Sequence, residues 1–281
     1  MRYHNLGVFW LLFTVAAVGL VVVRTVTIGL WVEAALTVAF TLLLVNSGVP
    51  LARRLVRNAL VERNSPSQGA VFASIGAVFA TLVAFAVVVV WEHYAETQTT
   101  VAQEANALAN IERLSRGFPV EKRRQVQEAT RTYAYVVVDA EWKNMAEHGP
   151  DPRAQSQLGD IWSVYMNVKP ADRDDPLYEA SVANLQELSD NRRLRLLAAE
   201  YRVPGVVWIL LYFGGVVTIV MVYFFGVRRD WMQRVVVSVG ALVIALSIFL
   251  VSALENPFKG EVAIQPDAFT HVVDQMQNLE R

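Results

Sequence analysis

Few side chains in this sequence are placed where they could bind a metal or carry out catalysis. The four histidines are His4, His93, His148 and His271. None belongs to an H-E-x-x-H pair or is followed by a second ligand at i+4, a spacing at which two side chains on one helix share a metal ion. The aspartates of 172–175 could bind calcium, but the segment lacks the glycine and the distal glutamate of a calcium loop, and the Pro176 that follows favours a helix cap. With no cysteine, phosphate-binding loop or nucleophile elbow either, we expect no metal, no cofactor and no enzymatic activity.

Arginines concentrate near the end of one predicted helix and beside an apolar segment. The four in question are Arg192, Arg193, Arg195 and Arg202. One interpretation is a set of cations placed favourably at a helix C-terminus. The other is a vestibule whose focused positive charge attracts inorganic anions. Glu33, one or two turns inside another apolar segment, could reach the headgroup layer or handle protons, since intramembrane acids are costly.

The composition indicates a membrane protein. Of the 281 residues 54% are hydrophobic and only 18% are charged, and the apolar residues are gathered in blocks. The formal net charge of −1 gives no reason to expect nucleic acid. We predict an all-α, multi-pass integral membrane protein that has lipid as its surroundings and carries a soluble helical insert.

Five apolar segments are long enough to cross a bilayer core of about 30 Å. They cover roughly residues 6–23, 27–49, 69–91, 205–227 and 235–254. Pro50 is expected to end the second span. The predicted organisation is an extra N-terminal span (1–24), two spans with a basic loop at 50–68 (25–91), a helical insert (92–203), two further spans (204–254) and a tail (255–281).

The third span carries a stripe of small side chains. The stripe consists of Ala70, Ala73, Ala77, Ala80 and Ala84, which recur at steps of three and four, and Ser74 and Thr81 lie beside it. Small residues at this spacing let helices approach closely in lipid, so the stripe predicts packing against another helix, from the same chain or from a copy of it. The alternative is the wall of a pore or cavity, where small and hydroxyl side chains leave room.

The insert is predicted to be an antiparallel bundle of four helices. The expected segments are about 95–116, a helix after Pro119, 153–168 and 176–201. The last of these has Asp175 as its N-cap and proline at its first position. The tail ends in an amphipathic helix from Asp267, which we expect to pack against the bundle or a neighbouring subunit.

The short loops predict the orientation. Residues 50–68 hold four arginines and residues 228–234 hold three, and both loops must lie on one side of the membrane. We expect the protein in the cell (inner) membrane with these loops in the cytoplasm. The N-terminus is then cytoplasmic as well. The insert and the C-terminus are then extracytoplasmic.

A series of short motifs resembles the bestrophin-like family over roughly residues 28–270. The motifs are WEHY after a span, VAQEANAL, the segment from Tyr133 to Glu141-Trp142, NRRLRLL before PGVVW, LENPFKG and IQPDAF. The residues that carry the motifs are Glu104, Glu141, Trp142, Asn256, Pro257, Phe258 and Gly260. The family has two spans, a helical insert and two spans, so the first span here is an addition.

The resemblance implies a remote similarity to bestrophins, which are pentameric anion channels lined by the second helix of their core. That helix corresponds to Gly69–Trp91, which makes Ile75, Phe79 and Val83 the candidate apolar rings of the pore, with Ser74 and Thr81 as further lining residues. It also implies a cytoplasmic insert, opposite to the side that the arginine loops indicate. The functional expectation is an oligomeric, anion-permeable channel; the alternative is a non-conducting membrane protein whose extracytoplasmic bundle binds a partner or ligand.

Overall fold

A computed structural model of the chain describes residues 30–56, 66–147, 149–167, 175–224 and 230–278. The all-α prediction is confirmed, because every element in those ranges is helical. The predicted first span and much of both arginine loops, including 57–65 and 225–229, lie outside the described residues, as does 168–174.

Nine α-helices and one π-helical turn make up the described part. They are α1 (Leu30–Val56), α2 (Pro66–Ser115), α3 (Val120–Val136), the π-turn (Val137–Glu141), α4 (Trp142–Glu147), α5 (Pro152–Met166), α6 (Pro176–Glu200), α7 (Gly205–Phe224), α8 (Asp230–Leu254) and α9 (Asp267–Asn278). They form two compact units. The membrane unit comprises the described residues of Met1–Trp91 with Val203–Glu255, and the insert unit comprises Glu92–Arg202 with the chain from Asn256 onward.

The membrane unit contains the spans. Four helices, α1, α2, α7 and α8, are long and apolar enough to cross a bilayer. In its core, α1 packs on α8 through the buried residues Val45, Val237 and Ala241. The Tyr223 hydroxyl of α7 donates a hydrogen bond to the Val45 carbonyl (2.6 Å), and it fits there because Gly48 has no side chain to meet it.

The apolar span in this unit ends at Pro50, as expected, but its helix does not. α1 continues through the proline to Val56. Proline removes one backbone donor and is disfavoured inside a helix in water, but membrane helices tolerate it where neighbouring groups satisfy the freed carbonyl. The third span starts at Gly69, the predicted residue, while its helix α2 already begins at Pro66, with proline at the first position.

The insert unit is built on the predicted amphipathic helices. Residues at helical spacing are buried along each inner face: Val126, Thr130 and Tyr133 on α3, Leu158, Ile161 and Tyr165 on α5, and Ser181, Leu185 and Leu188 on α6. Asp175 caps α6 as predicted, since its Oδ1 accepts from the Leu177 amide (2.9 Å). The helix after Pro119 is interrupted by the π-turn before it continues as α4.

The C-terminal helix packs on the insert, as predicted. On α9 the residues Phe269, Val272, Val273 and Met276 are buried in the same core as α3 and α5. Its apolar face is therefore covered within the insert unit.

Candidate functional site

The membrane-spanning part of α2 has two opposite faces with different surroundings. Phe79 is only 6% exposed, and its ring fills a notch on α7 where Gly214 and Gly215 have no side chains. A Cβ atom at Gly214 would lie 2.5 Å from the Phe79 ring. This close contact fixes which side of α2 is turned towards the chain's own helices.

That contact argues against Phe79 as one of the expected pore-lining residues. Ile75, Phe79 and Val83 follow one another at intervals of four residues and so share a face. Because Phe79 is packed in the notch on α7, this face belongs to the interior of the membrane unit. Phe79 is therefore turned away from the uncovered side of α2, whereas Ile75 and Val83 are half-buried.

The alanine stripe lies on the other face. Ala70 precedes Phe79 by nine residues, which is two and a half helical turns and places it on the opposite side. All five alanines of the stripe are exposed, as are Ser74 and Thr81. No helix of the described chain covers this face, so whatever packs against it comes from outside that part of the chain.

The two hydroxyls on this face are bonded to their own helix. Ser74 Oγ donates to the Ala70 carbonyl and Thr81 Oγ1 to the Ala77 carbonyl, each at 2.9 Å. Their hydrogens are thus used internally, and each oxygen remains available on the uncovered surface.

In the insert unit, two glutamates and two arginines form a buried cluster, which we call the ion-pair lattice: Glu104, Glu141, Arg192 and Arg195. Arg195 is fully buried and grips Glu104 with two hydrogen bonds, Nε to Oε2 at 2.6 Å and Nη2 to Oε1 at 2.9 Å. The same Nη2 reaches Glu141 Oε2 at 3.1 Å.

Arg192 completes the lattice on the other side of Glu141. Its Nη2 lies 2.6 Å from Glu141 Oε1, and its Nη1 donates to the side chain of Gln155 at 2.5 Å. The lattice therefore holds two positive and two negative charges. Buried charges are tolerated when they are paired and hydrogen-bonded in this way, and the pairing joins α2, the π-turn and α6.

Aromatic side chains enclose the lattice. The Tyr133 hydroxyl donates to Glu104 Oε1 (2.8 Å), and burial together with the charge of Glu104 raises the pKa of this tyrosine well above its ordinary value. Burial alone would lower the pKa of Arg195, but the charges of Glu104 and Glu141 outweigh it and hold that pKa above its usual range. The guanidinium also lies over the Trp142 ring, 5.2 Å from its centre.

The remaining motif residues position Trp142. Its indole Nε1 donates to the Ile264 carbonyl (3.0 Å), and its ring meets Phe258 edge-on at 5.7 Å. Asn256 Oδ1 accepts from the Phe258 amide (3.1 Å), and the Pro257 carbonyl accepts from the Ile264 amide. The turn closes at Gly260, whose φ of 82° is disfavoured for residues with a side chain.

The lattice also corrects the expectation for two of the four arginines. Arg192 and Arg195 are buried and paired with carboxylates, so they do not present free charge to anions. Arg193 and Arg202 are exposed, and Arg193 is 3.4 Å from the equally exposed Asp190. Among the described residues, no group of three histidine, aspartate or glutamate side chains could hold a metal ion.

Comparison with known proteins shows which family this chain belongs to. The family model of the bestrophin-like domain matches residues 38–269, which is most of the chain. The chain belongs to the bestrophin-like domain family. Glu104, Glu141, Trp142 and the Asn256 turn, through which the sequence resembled this family, are thus brought together around a single site of the bestrophin-like insert.

Solved structures show the same fold. One crystal structure of a mutant bacterial bestrophin homologue from Klebsiella pneumoniae has a TM-score of 0.71 at 14% identity, over 86% of this chain and 96% of that one. Another structure of the Klebsiella homologue gives 0.68 at 15% identity, over 86% and 97%. No curated protein sequence is significantly similar to this bestrophin-like chain.

Proposed function

We propose that this bestrophin-like protein assembles into a homo-oligomeric membrane channel that passes inorganic anions, with the uncovered face of α2 lining the conduit. The observation that carries the proposal is the two-sided packing of α2: the chain's own helices occupy the Phe79 face, and the alanine stripe is left open. In lipid, a face of small residues is suited to close approach of other helices. Copies of α2 arranged around an axis would bring these faces together.

The side chains on the uncovered face of α2 suit the passage of anions better than their tight binding. Alanine side chains leave room, and only the oxygens of Ser74 and Thr81 offer polar atoms along it. A largely apolar constriction conducts when it is wide enough to stay wet and closes by dewetting. The proposal assigns no catalytic step to any residue.

Anion preference would come from positive charge at the mouth. Arg202 is exposed and stands three residues before Gly205, where α7 begins. Arg193 is also exposed but has Asp190 beside it, so its charge is partly compensated. Of the four arginines, Arg202 is therefore the main candidate for raising the local anion concentration.

The flux of anions into liposomes tests the proposal. Vesicles containing the purified oligomer should take up chloride faster than empty vesicles, and Ser74→Leu should slow that uptake by filling the uncovered face. Ser247→Leu is the matched control, because Ser247 lies on another span, α8, is only half-buried, and its hydroxyl is likewise bonded to its own helix. No flux from an oligomer of confirmed size would refute the channel.

The orientation that we propose follows the arginine loops, with the insert and C-terminus outside the cytoplasm. The chain has no cysteine, so a single Ser156→Cys substitution on exposed α5 provides a unique label site. A membrane-impermeant maleimide should label it in intact cells. Labelling only after lysis would place the insert in the cytoplasm.

The alternative function is a non-conducting protein whose insert binds a partner. A groove of about 420 Å³ between α5 and α6 favours it, with Leu158, Trp162 and Leu196 among its lining and the half-exposed Leu197 at its edge. A monomer in detergent would support this function, because a single chain of spans offers no conduit along the α2 stripe.

A further inference from the structure

A small cavity in the insert unit is lined by two cations. Its volume is about 110 Å³, the room of three or four water molecules at about 30 Å³ each, which suits a compact polar group. Arg202 comes from the end of α6 and Lys259 from the turn after α8, and Glu200 also lines the space. The other lining includes the apolar side chains of Met145 and Leu196.

The arginine is held in place while part of it stays unused. Arg202 Nη1 donates to the carbonyls of Ala199 (3.1 Å) and Tyr201 (2.6 Å), which anchors the guanidinium at the end of α6. Within the described residues its Nε and Nη2 groups have no hydrogen-bond partner, and neither Arg202 nor Lys259 forms an ion pair with a carboxylate. Glu200 therefore does not neutralise either cation directly, unlike the glutamates of the ion-pair lattice.

The position of these residues along the chain places them beside the membrane. Arg202 precedes the first residue of α7 by three residues, a reach of at most about 11 Å, and Lys259 follows the last residue of α8 by five. The headgroup layer is about 5–8 Å thick on each side of the hydrocarbon core. Both cations therefore belong to the short segments that follow or precede a span, within reach of the headgroup phosphates.

We propose that this cavity binds a phosphate group through Arg202 and Lys259. Guanidinium and ammonium groups bind phosphate oxygens by charge-assisted hydrogen bonds, and the free Nε and Nη2 groups of Arg202 offer the paired geometry that such oxygens favour. The same chemistry is supplied by the headgroup of an anionic phospholipid and by free inorganic phosphate.

The test measures binding by the full chain in detergent. The midpoint of thermal unfolding is followed by tryptophan fluorescence during titration with short-chain phosphatidylglycerol, and separately with sodium phosphate, since a ligand of the folded state raises that midpoint. We expect Arg202→Gln and Lys259→Gln each to weaken the apparent affinity by about tenfold or more. Arg124→Gln is the matched control, because Arg124 is exposed on α3 and pairs with Glu121 away from the cavity.

The outcomes distinguish a lipid headgroup from free inorganic phosphate as the source of the bound phosphate group. A response to phosphatidylglycerol alone, lost in both variants, identifies a lipid headgroup; a response to both probes, lost in both variants, shows that the phosphate group suffices. If Arg202→Gln loosens the end of α6, Lys259→Gln alone decides, because its ammonium has no partner in the described chain. Parent-like affinity in Lys259→Gln, or no response to either probe in the parent, overturns the proposal, whether or not the oligomer conducts anions.

Discussion

Replacing Glu104 by glutamine should destabilise the protein strongly, because it removes one charge from a lattice that is balanced and buried. Arg195 is 0% exposed, and in the variant its only carboxylate partner would be Glu141, at 3.1 Å, which Arg192 already shares. Leaving one buried charge without its partner costs about 3–5 kcal/mol. For a unit of this size, that corresponds to a fall of on the order of 10–20 °C in the midpoint of thermal unfolding.

The assay is thermal unfolding of the purified full chain in one detergent, followed by tryptophan fluorescence at a fixed scan rate. Asp190→Asn is the control, since it breaks an arginine–carboxylate pair of 3.4 Å whose two side chains are about 70% exposed. Exposed pairs contribute about 0–1 kcal/mol, so this variant should unfold within about 4 °C of the parent.

A second variant separates loss of charge balance from loss of packing. Combining Glu104→Gln with Arg195→Gln leaves Glu141 paired with Arg192, so the lattice is neutral again. The double variant should be less destabilised than the sum of its two single variants. A single Glu104→Gln variant that unfolds with the Asp190→Asn control would refute the reasoning, because the buried charge would then have found compensation elsewhere.

Three further predictions concern other parts of the chain. Gly214→Ala should destabilise the packing of α2 on α7 by about 1–3 kcal/mol, because the new methyl group would be pushed against the Phe79 ring. Gly76→Ala is the control and should leave the stability unchanged, since a Cβ atom there meets nothing within 4 Å. The midpoints of thermal unfolding of the two variants check both expectations. Ala77→Leu should disrupt the oligomer without unfolding the chain, and an unchanged size by light scattering would exclude this face as an interface. Burial raises the pKa of Tyr165 to about 12, whereas the unfolded chain loses this proton near pH 10. The free energy of unfolding should therefore fall as the pH rises from 10 towards 12, by up to about 1.4 kcal/mol per pH unit. A tyrosinate absorbance titration in which all tyrosines ionise near pH 10 would contradict this.

The membrane spans and most insert helices could be predicted because they depend on local patterns. Length and lack of charge define a span, and the spacing of Leu158, Ile161 and Tyr165 defines the inner face of α5. Pro50 marks the end of the apolar span but not of α1, because a proline in a membrane helix is tolerated where the freed backbone groups find other partners.

The ion-pair lattice was only half visible in the sequence. Glu104 lies on the same helical face as Leu108 and Ile111, and Arg195 on the same face as Leu188, so charged side chains occupy stripes that must be buried. Such positions require a partner of opposite charge, and this signal was available. The identity of that partner could not be predicted, because Glu104 and Arg195 are 91 residues apart and only the bundle topology brings them together.

The side of α2 that stays uncovered could not be predicted for a similar reason. The spacing of the alanines identifies one face of the helix, but it does not say whether that face is turned towards the chain's own helices or away from them. The notch formed by Gly214 and Gly215 on α7 selects the Phe79 side, and that choice depends on which helix lies beside α2.

The π-turn makes the insert sensitive to chain length at one place. Residues Val137–Glu141 form a turn that holds about one residue more than an α-helical turn, and Glu141 is its last residue. Deleting one residue between 137 and 140 would replace it with an ordinary α-helical turn and so shift the Glu141 carboxylate relative to Arg192 and Arg195. In this segment a one-residue gap should be as damaging as a lost carboxylate, while substitutions at its exposed position, Asp139, should be tolerated.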